Sequence, residues 1–157
     1  MALLFLLWLC ASAVMDAKYR KCYNWLVLLG IVAAFISVTL IPKAHPVNIS
    51  PLDSIIGAFL AFLVLLIFYI KKMMGAGDIK FSAALGAWIG WELLLPIWAL
   101  SCGFAVIHGF FVRSNAKYFF YPAMKWEDGL QEKGKRFIPY VTYLSIATVI
   151  VLMLNKY

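Results

Sequence analysis

The sequence is poor in charge and offers little sulfur chemistry. Of its 157 residues, 13% are charged and 65% are hydrophobic. A soluble domain is nearer half apolar and about a quarter charged. No core-and-shell arrangement of this length hides so much apolar surface. This excludes a soluble enzyme, a disordered chain and a nucleic-acid-binding domain. The three cysteines, Cys10, Cys22 and Cys102, form no CxxC pair and are odd in number. That argues against a disulfide framework, a zinc site or a redox dithiol. A basic n-region is missing too. Ala11-Ser12-Ala13 imitates a cleavage site, but the first basic residue, Lys18, follows the apolar run. A secretory signal needs its charge in front, so this stretch is expected to stay as the first helix.

What is present is a series of continuous apolar runs. Lipid permits only helices or a closed barrel, and a barrel strand would alternate apolar with polar residues. The expected fold is therefore all-α, a polytopic membrane helical bundle with about six spans, placed at 2–15, 25–41, 52–70, 79–95, 97–112 and 137–154. Ser50 is placed to cap the third helix with Pro51 at its first position. The run from Phe81 to Val112 is too long for one span, at about 48 Å against a hydrocarbon core of about 30 Å. Gly90, Glu92 and Pro96 offer a place to turn.

Basic residues decide between one helix and two. With a hairpin, one face carries Lys18, Arg20, Lys21, Lys71, Lys72, Lys80, Arg113, Lys117, Lys125, Lys133, Lys135 and Arg136, and the other only Lys43 and Lys156. With a single helix the 14 basic residues divide evenly. Orientation follows basic-residue bias. The expected topology is multi-pass in a cytoplasmic (inner) membrane, N-terminus outside, with the loop 113–136 inside. That loop mixes Lys and Arg with Tyr118, Phe119, Phe120, Tyr121 and Trp126, which suits a segment lying at lipid headgroups.

Seven acids are available. Glu127, Asp128 and Glu132 fall in the polar loop, Asp53 in the first turn of the third helix, and Glu92 at the hairpin. All five have ordinary solvated or dipole-matching roles. Asp16 and Asp78 differ. Each lies where an apolar span meets its basic flank, and two spans separate them, so they share a membrane face. Ionisable groups there are functional candidates. Two close carboxylates cannot both ionise readily and so share a proton. The ionised one can take a proton from water while the protonated one donates to a peptide carbonyl, the division of labour of aspartic proteases. Gly75 and Gly77 precede Asp78. Glycine permits positive φ and close approach of a second backbone, as a bound peptide requires. Gly57 has no motif around it and is expected to tolerate a methyl group. His45 and His108 lie on different segments and suit packing better than metal binding.

Gly75-Ala76-Gly77-Asp78-Ile79-Lys80 resembles the GxGD signature of intramembrane aspartic proteases in the form found in type IV prepilin peptidases. Asp16 followed by Asn24 is similar to that family's first motif, with Tyr23 where proline is usual. Lys135-Arg136-Phe137-Ile138-Pro139-Tyr140 looks like the basic-apolar-Pro-aromatic approach to its final helix. The resemblance implies catalytic Asp16 and Asp78, substrate-approach glycines Gly75 and Gly77, and supporting roles for Asn24, Lys80 and Pro139. It implies no metal and no cofactor. The implied substrate is a prepilin-like precursor with a basic leader, a glycine before the cut and a hydrophobic helix. The absence of paired CxxC motifs resembles the short peptidase-only branch, in which no methyltransferase activity is expected. The competing class is a small proton-coupled transporter or channel with the two acids as a relay, which would place them nearer the membrane midplane.

The charge split carries a topological prediction. Reporter fusions at Ala44 and within 90–96 are expected to report outside, and a fusion at Ala123 inside. An outside signal from Ala123 removes the fifth span.

Overall fold

The structure is a computed structural model that describes residues 2–19, 22–72, 74–113 and 140–155. Among the described residues there are six α-helices and no strand: α1 (Ala2–Tyr19), α2 (Asn24–Leu40), α3 (Pro51–Ile70), α4 (Ala76–Ile89), α5 (Leu94–Arg113) and α6 (Tyr140–Leu154). A single 3-10 turn, Pro42–Ala44, follows α2. The loop expected at 113–136 and Pro139 lie outside the described residues, Arg113 excepted.

The helices differ from the expected spans at their ends. α1 does not stop at Met15 but runs a further turn to Tyr19, which places Asp16 inside the helix. The expected 79–95 span is instead the fourteen-residue α4, about 21 Å long at 1.5 Å per residue. It ends because Gly90 adopts φ 71°, a left-handed region that favours glycine, with its N–H donating to Gly86 O. The chain turns over 90–93 and α5 begins at Leu94. Pro96 therefore lies in the first turn of α5, where its missing N–H leaves no hydrogen bond unmade. The hairpin exists, but its turn precedes the proline. α3 begins as expected: Asp53 N–H donates to Ser50 Oγ at 3.1 Å, and Ser50 N–H donates to Asp53 Oδ2 at 3.1 Å, with Pro51 first in the helix.

Among the described residues two helices, α1 and α3, are long and apolar enough to cross a membrane; α2, α6 and the stretch Leu94–Phe110 of α5 are apolar but shorter. Large apolar side chains lie on the outside as well as in the core, and most of the buried polar residues carry hydroxyls. Leu3, Leu40, Ile70 and Phe110 are exposed, whereas Ser12, Ser37, Ser54, Ser82, Ser101, Ser145 and Thr148 are buried. Hydroxyl-bearing residues between helices, beside an aromatic and aliphatic core, with further large apolar side chains outside, match packing in a lipid solvent.

At the centre lies α4, buried along most of its length from Ile79 to Ile89. It packs most extensively on α3 and then on α2. Ser54 Oγ donates to Ala87 O at 2.6 Å across the α3–α4 contact. Two indoles converge on α2: Trp8 Nε1 donates to Leu26 O at 2.8 Å, and Trp88 Nε1 to Gly30 O at 2.9 Å. Trp8 stacks on Phe81 with centroids 5.0 Å apart, and Phe5 meets Trp88 at 4.9 Å. These contacts draw α1 and α4 onto one face of α2.

The crossing of α3 and α4 is set by Gly57 and Gly86. A Cβ on Gly57 would lie 2.4 Å from Gly86 O, and one on Gly86 would lie 2.4 Å from Gly57 O. The expected tolerance of Gly57 is thus overturned: the atoms opposing it are backbone and cannot rotate away. Gly57→Ala and Gly86→Ala are each expected to destabilise the fold by about 1–3 kcal/mol or more through overpacking. Gly103→Ala, with nothing within 4 Å of the added carbon, serves as the neutral control. Thermal unfolding of purified variants in detergent checks all three.

Candidate functional site

Asp16 lies near the C-terminal end of α1 and is only 7% exposed. A carboxylate removed from water needs donors. α6 supplies them through Thr142, in the first turn of the helix as described. Thr142 N–H donates to Asp16 Oδ2 at 3.2 Å, and Thr142 Oγ1 approaches the same oxygen at 3.4 Å and Ala13 O at 3.3 Å. The positive end of α6 therefore faces this carboxylate.

Asp78 lies in the first turn of α4, half-buried. Gly75 N–H donates to its Oδ2 at 3.1 Å, and Asp78 N–H donates to Gly75 O at 3.2 Å. The carboxyl thus closes the N-terminus of α4 and belongs to a second helix start. The two acids, 62 positions apart in sequence, come within electrostatic range of each other. The Cys22 thiol feels both: burial, then Asp16 and Asp78, push it up to about 11 against the opposing pull of Lys80. It remains a thiol near neutral pH, which disqualifies it as a thiolate nucleophile.

The glycines act differently from the expectation of unusual backbone angles. Gly75 has φ −80° and ψ 153°, an extended conformation open to any residue. Gly77 matters through space: a Cβ there would lie 3.0 Å from Cys22 Cβ and 3.7 Å from Cys22 N. Its bare Cα lets the segment between α1 and α2 press against the start of α4. Asn24 and Lys80 also meet, with Lys80 Nζ donating to Asn24 Oδ1 at 3.1 Å. The starts of α2 and α4 are thereby tied beside the acids.

Among the remaining candidates, Asp53 caps α3 and Glu92 is exposed in the α4–α5 turn. His45 stacks on Trp88 with centroids 5.4 Å apart, and burial lowers its pKa from the ordinary imidazole value. His108 hydrogen-bonds Tyr143 and ties α5 to α6. Both histidines serve packing. No group of three or more His, Cys, Asp or Glu that could hold a metal occurs among the described residues. Sequence reasoning missed Thr142, and it named Tyr140 only as the aromatic that ends the motif before the final helix. Tyr140 hydroxyl lies 3.3 Å from Ser101 Oγ and within electrostatic range of Asp78. No local spacing relates Thr142 to an acid 126 positions away; the one usable signal is a hydroxyl residue in the first turn of an otherwise apolar helix.

A family model described as the type IV leader peptidase family matches residues 3–110. This range holds Asp16, Gly75, Gly77 and Asp78 and stops before α6. A prepilin leader peptidase/N-methyltransferase of Vibrio cholerae is 38% identical over 76 residues, covering 44% of this chain and 30% of the relative. Proteins of the same description from Aeromonas salmonicida and Aeromonas hydrophila are 42% identical over 64 residues and 45% over 56, covering 36% and 31% of this chain and 22% and 19% of the relatives. The matched stretch therefore spans less than a third of each of these relatives. No solved structure matches.

The Gly77–Cys22 contact predicts a suppressor. Gly77→Ala is expected to lower thermal stability by about 1–3 kcal/mol. Adding Cys22→Gly removes the opposing Cβ and should restore most of it, whereas Cys22→Ser keeps that carbon and should not. Equal melting of the two double variants would show that Gly77 is not held by this contact.

Proposed function

The chain belongs to the type IV leader peptidase family, and we propose that it is an aspartic endopeptidase that removes the leader from a type IV prepilin-like precursor. The observation that supports this reading is that Asp16 and Asp78, from different helices, lie within electrostatic range of each other, the first buried and the second half-buried. One carboxyl ionised and one protonated is the stable arrangement of such a pair. The ionised member takes a proton from water, whose oxygen attacks the peptide carbonyl carbon. The protonated member donates to the carbonyl oxygen. Collapse of the tetrahedral intermediate breaks the C–N bond, and a proton passes to the leaving amine.

Asn24 and Lys80 brace the site by joining α2 to α4. Gly77 keeps Cys22 close, and Gly75 leaves the approach to Asp78 free of a side chain. For Pro139 a supporting role is proposed from the sequence resemblance alone. In this reading the chain crosses the cytoplasmic membrane six times with its N-terminus outside, and the site lies at the inner face within reach of a basic leader. The exposed apolar side chains support insertion in a bilayer. The substrate has a basic leader, a glycine before the cut and a hydrophobic helix after it. The relatives' names join peptidase to N-methyltransferase; only the peptidase half is proposed here, with no metal or cofactor. Both acids lie at the end of the bundle where α4 and α6 begin. That placement supports hydrolysis of an incoming peptide over a relay through the membrane, the reading of a proton-coupled transporter.

Asp16→Asn and Asp78→Asn keep side-chain size but can neither share the proton nor act as base. Each is expected to lower prepilin cleavage by at least about 10²-fold while the protein still inserts. Asp53→Asn and Glu92→Gln should retain activity. Cleavage of a purified prepilin in detergent is the measurement, and an active Asn variant at either site overturns the dyad.

A further inference from the structure

The donor of the second hydrogen bond to Asp16 has two acceptors and one proton. Thr142 Oγ1 is 3.4 Å from Asp16 Oδ2 and 3.3 Å from Ala13 O, while Thr142 N–H points at Asp16 Oδ2 from 3.2 Å. Ala13 lies on α1 three positions before Asp16, so the hydroxyl bridges the carboxyl and the backbone of the helix that carries it. A hydroxyl donates once and accepts at its lone pairs, and its hydrogen rotates to suit.

We infer that Thr142 is a positioning residue that holds the Asp16 carboxyl in one orientation through both its ionised and its protonated states, by turning a single hydroxyl between Asp16 and the Ala13 carbonyl. When Asp16 is ionised, Thr142 Oγ1–H donates to Oδ2. When Asp16 is protonated, the proton sits on Oδ1, from which it passes to the substrate, and the threonine hydrogen turns from the now uncharged Oδ2 to Ala13 O. The proton count changes only at Asp16; no bond other than hydrogen bonds is exchanged at Thr142. In both states Thr142 N–H remains on Oδ2, so the carboxyl need not rotate as the cycle moves its proton. A dyad whose members alternate between base and acid needs this, because a rotation at each proton transfer would displace the reacting oxygens. α6 thus contributes to the site although it provides neither acid.

This inference rests on the dyad reading, and the test separates the two. Cleavage kinetics of purified Thr142→Val, Thr142→Ala and Thr142→Ser are measured beside Asp16→Asn. Thr142→Val keeps shape and backbone N–H but removes the hydroxyl. It is expected to lower kcat about 10- to 100-fold, the effect of one hydrogen bond to a charged group, with KM within about twofold. Thr142→Ala should behave alike and covers the case in which the valine does not fold. Thr142→Ser should remain within about threefold of the parent in kcat, because it restores the hydroxyl. Wild-type kcat in Thr142→Val or Thr142→Ala, or a serine variant as impaired as the other two, overturns the role of Thr142 while leaving the dyad intact. An active Asp16→Asn overturns the dyad itself. A loss confined to KM overturns the positioning role in favour of substrate binding.

Discussion

The close backbone contact of Gly57 with Gly86 underlies the rest of the structure. α4 has only fourteen residues and is enclosed on nearly every side. A helix this short cannot rely on its own hydrogen bonds; neighbours must hold it. In a lipid solvent the hydrophobic effect does not press helices together, so close van der Waals approach must. The paired glycines let α3 and α4 touch backbone to backbone, and Ser54 locks the contact with a bond to Ala87 O. The depth of α4 in the bundle determines where its first turn, and hence Asp78, can lie.

The same logic extends to the polar end. Both acids are accommodated by helix starts: Asp78 by the start of α4 through Gly75, Asp16 by the start of α6 through Thr142. Helix N-termini offer unpaired N–H groups and a positive end, a solution to burying carboxylates where water is scarce. Cys22 and Gly77 then close the gap between the α1–α2 connection and α4, and Lys80 ties to Asn24. The site is a junction of four helices at one end of the bundle. α1 and α4 bring the acids, α6 a donor to Asp16, and α2 the Asn24 side chain that accepts from Lys80.

Helix content, the capped start of α3, the existence of a hairpin after α4 and the candidacy of Asp16 and Asp78 were all legible in the sequence. They depend on composition, on local signals such as Ser50-Pro51 and on acids placed at the edges of apolar runs. Helix ends were less so. The last turn of α1 carries Asp16, Lys18 and Tyr19, residues that end an apolar run without ending a helix. Gly90, Glu92 and Pro96 all offer a place to turn and the expected spans meet at Pro96, yet the left-handed Gly90 stops the helix and the proline lies in the first turn of the next one. Proline ends a helix only when an N–H is needed at its position, and the first turn needs none.

The pattern of apolar runs, together with composition, determined that the chain is helical and apolar outside, because 65% hydrophobic residues suit a lipid solvent and unbroken runs do not suit barrel strands. It also marked two acids out of seven, because a carboxylate at the edge of an apolar run is costly without a purpose. Tertiary structure alone decided what surrounds them. Gly57 looked indifferent in sequence and proved to be a helix crossing; Gly77 looked like a substrate path and faces Cys22; Thr142 looked like any residue of an apolar helix and holds Asp16. These are relations between segments tens of positions apart. They exist only once helices are docked at fixed depth and rotation, and a one-dimensional pattern contains neither.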